Sequence, residues 1–253
     1  MSFDVAPEAY DSFMGRFSVP LAETFAAWAR LPETGRALDV GCGTGALTAV
    51  LAHRFGETEV AAVDPSTTFV EATTARLPWA DVRHGAAEAL PFDDDLFAAT
   101  LAELVVHFMT DAATGVGEMV RVTAPEGVVA TCVWDFAGHR APQSLFFEAL
   151  SSVVAGIDDE SRRVGATRGD LGALLEAAGC SDVEEAELPV GVEYPSFDEW
   201  WTSYTLGVAP AGRQLAALTD ADRERVRHHS MRLLPPGPFT ITGTAWAARG
   251  VAP

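Results

Sequence analysis

The chain has 253 residues, 48% of them apolar, and a formal charge of −19 at pH 7. That length supports a sizeable core, while the charge repels phosphate backbones and anionic membranes, so neither nucleic acid nor a membrane is expected as a partner. All 17 basic residues are arginine, which excludes Schiff-base and P-loop lysine chemistry.

No stretch approaches the ~20 apolar residues of a membrane span, and Met1-Ser2-Phe3-Asp4 lacks a basic, apolar export signal, so a cytoplasmic chain is expected. Cys42, Cys132 and Cys180 are too widely spaced for a C-x-x-C pair and read as reduced thiols. The six histidines are scattered, and adjacent His228 and His229 point ~100° apart on a helix, so no metal site is expected.

The first ordered signal runs from Tyr10 to Ser18, ahead of a helix predicted from about Pro20 to Leu31 with Phe25 and Trp28 inward. Strand one (Arg36–Val40) then meets three alternating glycines, Gly41, Gly43 and Gly45, and passes into an amphipathic helix. Glycine admits positive φ and close ligand approach, and the new helix presents unpaired N–H groups. The stretch reads as a cofactor cradle. Gly41-x-Gly43-x-x-Ala46 also satisfies the loose dinucleotide fingerprint, but Asp39 would repel a pyrophosphate there and would welcome an ammonium or sulfonium. Asp64, closing the apolar run from Val60 to Val63, sits where an acid accepts from two ribose hydroxyls.

Strand two (Glu59–Asp64), a helix (Thr67–Leu77), strand three (Val82–His84) and strand four (Ala98–Ala102) continue the alternation of an α/β, doubly wound parallel sheet. Strand four delivers Glu103 to His107 to its carboxyl end, where such sheets bind ligands. A helix (Ala112–Val122), a turn at Pro125-Glu126-Gly127 and strand five (Val128–Trp134) follow. Residues 142–156 and Leu171–Ala178 read as helices, Asp182–Val190 as strand six and Thr240–Arg249 as the last strand. Residues 191–238 form an insertion above the sheet. In it, Ser196 to Glu199 is a capping box, Trp200, Trp201 and Tyr204 share a helix face, and Ala221–Leu233 is a second helix.

Leu38 to Gly45, Val63 to Ser66, Gly85 to Phe92, Leu104 to Phe108 and Glu118 to Gly127 together resemble the class I S-adenosylmethionine-dependent methyltransferases, over roughly residues 10–135. The resemblance implies a single Rossmann-like domain over 1–253, with a seven-stranded sheet of order 3-2-1-4-5-7-6 whose last strand is antiparallel. It also implies a leader (1–19) closing over the cofactor and a helical lid (191–238). The implied activity is methyl transfer from S-adenosylmethionine to an oxygen, nitrogen or carbon of a small molecule by in-line displacement, in a monomer or homodimer. An NAD(P)-dependent oxidoreductase and a noncatalytic S-adenosylmethionine-binding protein stay open as alternatives.

Carried onto this sequence, Gly41, Cys42 and Gly43 with Asp39 would take the methionyl end, and Tyr10 with Arg16 would fold over it, Arg16 pairing with the carboxylate. Asp64 and Pro65 would meet the ribose, Ala86, Ala87 and Glu88 the adenine, and Glu103 the strand-four edge. Ala86 stands where relatives commonly have aspartate, a loss of about 0.5–1.5 kcal/mol if nothing compensates. Trp134, Trp201 and Tyr204 are expected in the acceptor pocket. His107 is the expected general base, and an ordinary pKa near ~6.5 would make activity rise through mildly acidic pH.

Overall fold

Short apolar runs separated by amphipathic segments collapse as strands under helices, because each run buries both faces only inside a covered sheet. The computed structural model describes residues 6–253. Its strands are β1 (Ala37–Val40), β2 (Val60–Asp64), β3 (Asp81–His84), β4 (Phe97–Glu103), β5 (Thr123–Trp134), β6 (Ser181–Tyr194) and β7 (Phe239–Val251). They form one sheet in the order β3-β2-β1-β4-β5-β7-β6, as the resemblance implies. Neighbours among β1 to β5 pair parallel, and β7 runs antiparallel between β5 and β6. Every residue of β1 and β2 is buried. The carboxyl ends of β1, β2 and β4 therefore emerge at one edge, and the site lies along it.

The helices are α1 (Pro7–Tyr10), α2 (Arg16–Trp28), α3 (Ala46–Phe55), α4 (Thr67–Arg76), α5 (Ala112–Val122), α6 (Ser144–Ser151), α7 (Asp170–Ala177), α8 (Phe197–Thr205), α9 (Ala209–Ala216) and α10 (Asp220–Leu233). Caps follow local chemistry: the side chains of Ser66, Asp111, Ser196 and Thr219 each accept from an amide three residues on.

Several boundaries differ from the sequence reading. Of the leader, residues 1–5 lie outside the described residues. The rest is helical from Pro7 through a π turn at Asp11–Gly15 into α2, so Pro20 lies inside a helix rather than at its start. The proline removes one ladder bond, but Phe17, Leu21 and Phe25 still bury one continuous face. Pro125-Glu126-Gly127 is an irregularity within β5, opposite the register shift between Phe97 and Ala99. β6 continues to Tyr194, which pairs with Phe239, so the insertion begins beyond residue 191, and α9 is a helix the sequence reading missed. Only the Ser196 half of the capping box forms, because Glu199 turns away to Arg16.

Candidate active site

β1 ends at Val40, and the chain turns back through Gly41, whose amide donates to the Val63 carbonyl at 2.7 Å. Gly41 has φ +75°, and a Cβ there would clash with a Val105 methyl, so both backbone and space demand glycine. Asp64 ends β2. One of its oxygens accepts from the Gly43 amide at 2.9 Å and the other from the Ser66 amide at 2.8 Å, which ties the glycine loop to the start of α4. Burial raises its pKa and these bonds oppose the rise. Each oxygen keeps a lone pair for another donor.

A cavity of about 350 Å³ follows this edge. Of the residues singled out from sequence, Tyr10, Gly41, Gly43, Asp64, Pro65, Ala86, Ala87, Glu88, Glu103, His107 and Trp134 line it. Tyr10 packs edge-on against Phe69 with centroids 5.2 Å apart, and its neighbour Asp11 accepts from Thr44 and pairs with Arg76, both at 2.6 Å. The Tyr10–Asp11 stretch is thus pinned to the glycine loop and α4. Glu88 accepts from the Thr110 amide at 2.7 Å, which fixes it beside Ala86 and Ala87.

Five predicted residues lie off the cavity wall. Asp39 is buried and accepts from Thr48 at 2.6 Å, and desolvation raises its pKa to about 7. Cys42, within the loop, is buried, and desolvation raises its thiol well above the ordinary range. Arg16 pairs with Glu199 at 2.5 Å and lies 5.1 Å over the Tyr194 ring. Tyr204 stacks on Phe146 at 4.2 Å, and Trp201 packs against Phe197 and Phe146. These last two are core, because the aromatic face of α8 is turned towards α6.

Glu103 lines the cavity where Asp39 does not. Its Oε1 is buried without a hydrogen-bond partner among the described residues, and desolvation, then Asp39, raises its pKa well above the usual range. A buried acceptor left open beside a glycine loop fits an ammonium group, whose charge would return Glu103 to its ionised form. With Asp64 two strands away and room above Gly41, the residues present fit S-adenosylmethionine.

The other end of the cavity is walled by Phe108, Phe136, Trp134, Gln143, His107 and Glu160. His107 is 8% exposed, and burial, then Arg163, pushes its pKa down to about 3. It therefore stays neutral through the mildly acidic range, and no acidic limb near its ordinary pKa is expected from it. Glu160, which the sequence reading missed, lies with its Oε2 3.9 Å from His107 Nε2, and desolvation raises it to about 7. Since His107 is neutral this is no ion pair. Glu160 sits in a loop between α6 and α7, and its only sequence signal was a charge run, Asp158 to Arg163.

A protein-family model described as a methyltransferase domain matches residues 38–131. A trans-aconitate 2-methyltransferase of Methylobacterium radiotolerans is 32% identical over 225 residues, covering 86% of this chain and 77% of that protein. A malonyl-[acyl-carrier protein] O-methyltransferase of Halorhodospira halophila is 32% identical over 156 residues, and the match spans 58% of this chain but only 48% of the relative. Among solved structures, a Haemonchus contortus phosphoethanolamine N-methyltransferase in complex with S-adenosylhomocysteine superposes with a TM-score of 0.61 at 14% identity, over 98% of this chain and 57% of that one. At that identity the likeness speaks for the fold.

Proposed function

This chain belongs to the class I S-adenosylmethionine-dependent methyltransferases, and from that premise we propose that it methylates a small molecule held at the His107 end of the cavity. The observation that carries this reading is the division of one cavity into two ends: the glycine loop, Asp64 and Glu103 at one, and at the other aromatic rings among buried polar atoms that have no hydrogen-bond partner among the described residues. S-adenosylmethionine supplies an electrophilic methyl group. Glu103 accepts from its ammonium, Asp64 from its ribose hydroxyls, and Ala86, Ala87 and Glu88 border its adenine. Tyr10 and Met14 close over it, while Ala209, at the start of α9, carries the insertion to the acceptor side.

Neutral His107 is a weak base, so its role is to orient the acceptor through Nδ1. The reaction then rests on alignment and on exclusion of water by Phe108, Phe136 and Trp134. Calorimetry with S-adenosylhomocysteine is expected to show one site per chain, and incubation of S-adenosylmethionine with an acceptor library is expected to yield methylated product. A folded chain that takes up neither compound refutes the reading.

A further inference from the structure

We propose that Glu160 selects the methyl acceptor, which is a neutral or cationic donor of N–H or O–H hydrogen bonds on a largely apolar body, an amine or a phenol, and not a carboxylate or phosphate. This deepens the methyltransferase reading and rests on it.

Glu160 combines three unfavourable features. It is 2% exposed, its Oε2 has no hydrogen-bond partner among the described residues, and its backbone is left-handed at φ +64° without being glycine. Such a residue persists only where its surroundings over-determine it, and positions of this kind gather at functional sites. The surroundings here do so: the Glu160 amide donates to Asp158 at 3.1 Å, and the Asp158 amide and carbonyl are both held at 2.8 Å by Gln214 of α9. Leu104 and Ala209, on the same wall, are also left-handed, at φ +59° and +56°.

The open atoms at this end decide the ligand. Gln143 Oε1 accepts, Glu160 Oε2 only accepts when ionised, His107 Nδ1 accepts in one tautomer, and Trp134 Nε1 on the wall and Arg163 Nη1 off it can only donate. Among the described residues no arginine lines the cavity, and the chain has no lysine, whereas Asp64, Glu88, Glu103 and Glu160 all do line it. Arg163, which is off the cavity wall, has its Nη1 3.7 Å from that Glu160 Oε2, beyond hydrogen-bond reach, and is bound to Asp158 at 2.7 Å and laid over the Phe108 ring. Arg213 also acts on Glu160 from α9, and Asp158 and Asp159 oppose it from the loop. An anionic acceptor would meet like charge with no guanidinium on the wall, while an N–H or O–H donor satisfies atoms now left open.

The test uses the full chain loaded with S-adenosylhomocysteine and three probes of matched size: phenethylamine, 4-ethylphenol and 3-phenylpropanoate. Calorimetry near pH 8 is expected to rank the amine and the phenol about tenfold or more above the carboxylate. Glu160→Gln, of the same volume, is expected to cut the amine's lead about fivefold or more while S-adenosylhomocysteine affinity stays within about twofold. The wild-type ranking stands as a test without any variant. The proposal is overturned if the carboxylate binds as well as the others, if Glu160→Gln keeps the full ranking, or if the loaded chain takes none of the amine and phenol probes. Failure to bind S-adenosylhomocysteine itself would instead sink the methyltransferase reading.

Discussion

Replacing Glu160 by glutamine should flatten part of the protein's pH–stability curve, by an amount the site's electrostatics set. Burial raises the carboxyl from its ordinary 4.5 to about 7. A group raised in this way contributes stability that is fully present below its unfolded pKa and is lost as pH rises through the folded one. Between pH 5 and pH 8, linkage makes that loss about 2–3 kcal/mol. Asp39, also raised to about 7, adds a loss of the same sign, while His107, lowered to about 3, contributes stability present above its ordinary pKa and lost as pH falls. Both remain in the variant and cancel in the difference between the two proteins. Glutamine keeps the volume and does not titrate, so urea unfolding at several pH values should show Glu160→Gln gaining about 2–3 kcal/mol on wild type between pH 5 and pH 8. A difference constant within about 0.5 kcal/mol across that range would refute the assignment of a buried, cavity-facing carboxyl.

Asp64→Ala should weaken S-adenosylmethionine binding by about 2–4 kcal/mol, through lost hydroxyl contacts and a freed Gly43 amide, with circular dichroism unchanged; wild-type affinity by calorimetry would count against it. Tyr204→Ala removes a buried ring stacked on Phe146 and should lower stability by about 3–5 kcal/mol while the surviving fold keeps its probe ranking. An acceptor-specific effect without a loss in melting temperature would return Tyr204 to the pocket. Arg16→Ala breaks a partly exposed pair with Glu199 and should cost about 1 kcal/mol or less, leaving cofactor affinity intact; a large loss of that affinity would restore the carboxylate-pairing role.

Hydrophobic period and turn chemistry are local, and they made β1, the Gly41–Gly45 turn, β2 and Asp64 legible from residues alone. An apolar run of four or five residues followed by alternating glycines has few other conformations. Sheet order was legible only through resemblance, since no local pattern says that β7 runs between β5 and β6. Side-chain direction was not legible. Asp39 accepts from Thr48 in the first turn of α3 while Glu103, far along the chain, lines the cavity, because burial at the C-terminal edge of three separate strands chooses between them. The resemblance pairs Arg16 with the methionyl carboxylate, yet Glu199 of α8, in the insertion, is the anion it meets in the fold. Glu160 was hidden for the same reason: a short charge run ordinarily faces solvent, and only the packing of α9 against that loop turns one member inward. Local sequence determines which backbone forms, whereas the desolvation and electrostatics that give a carboxylate its role depend on what distant segments bring beside it.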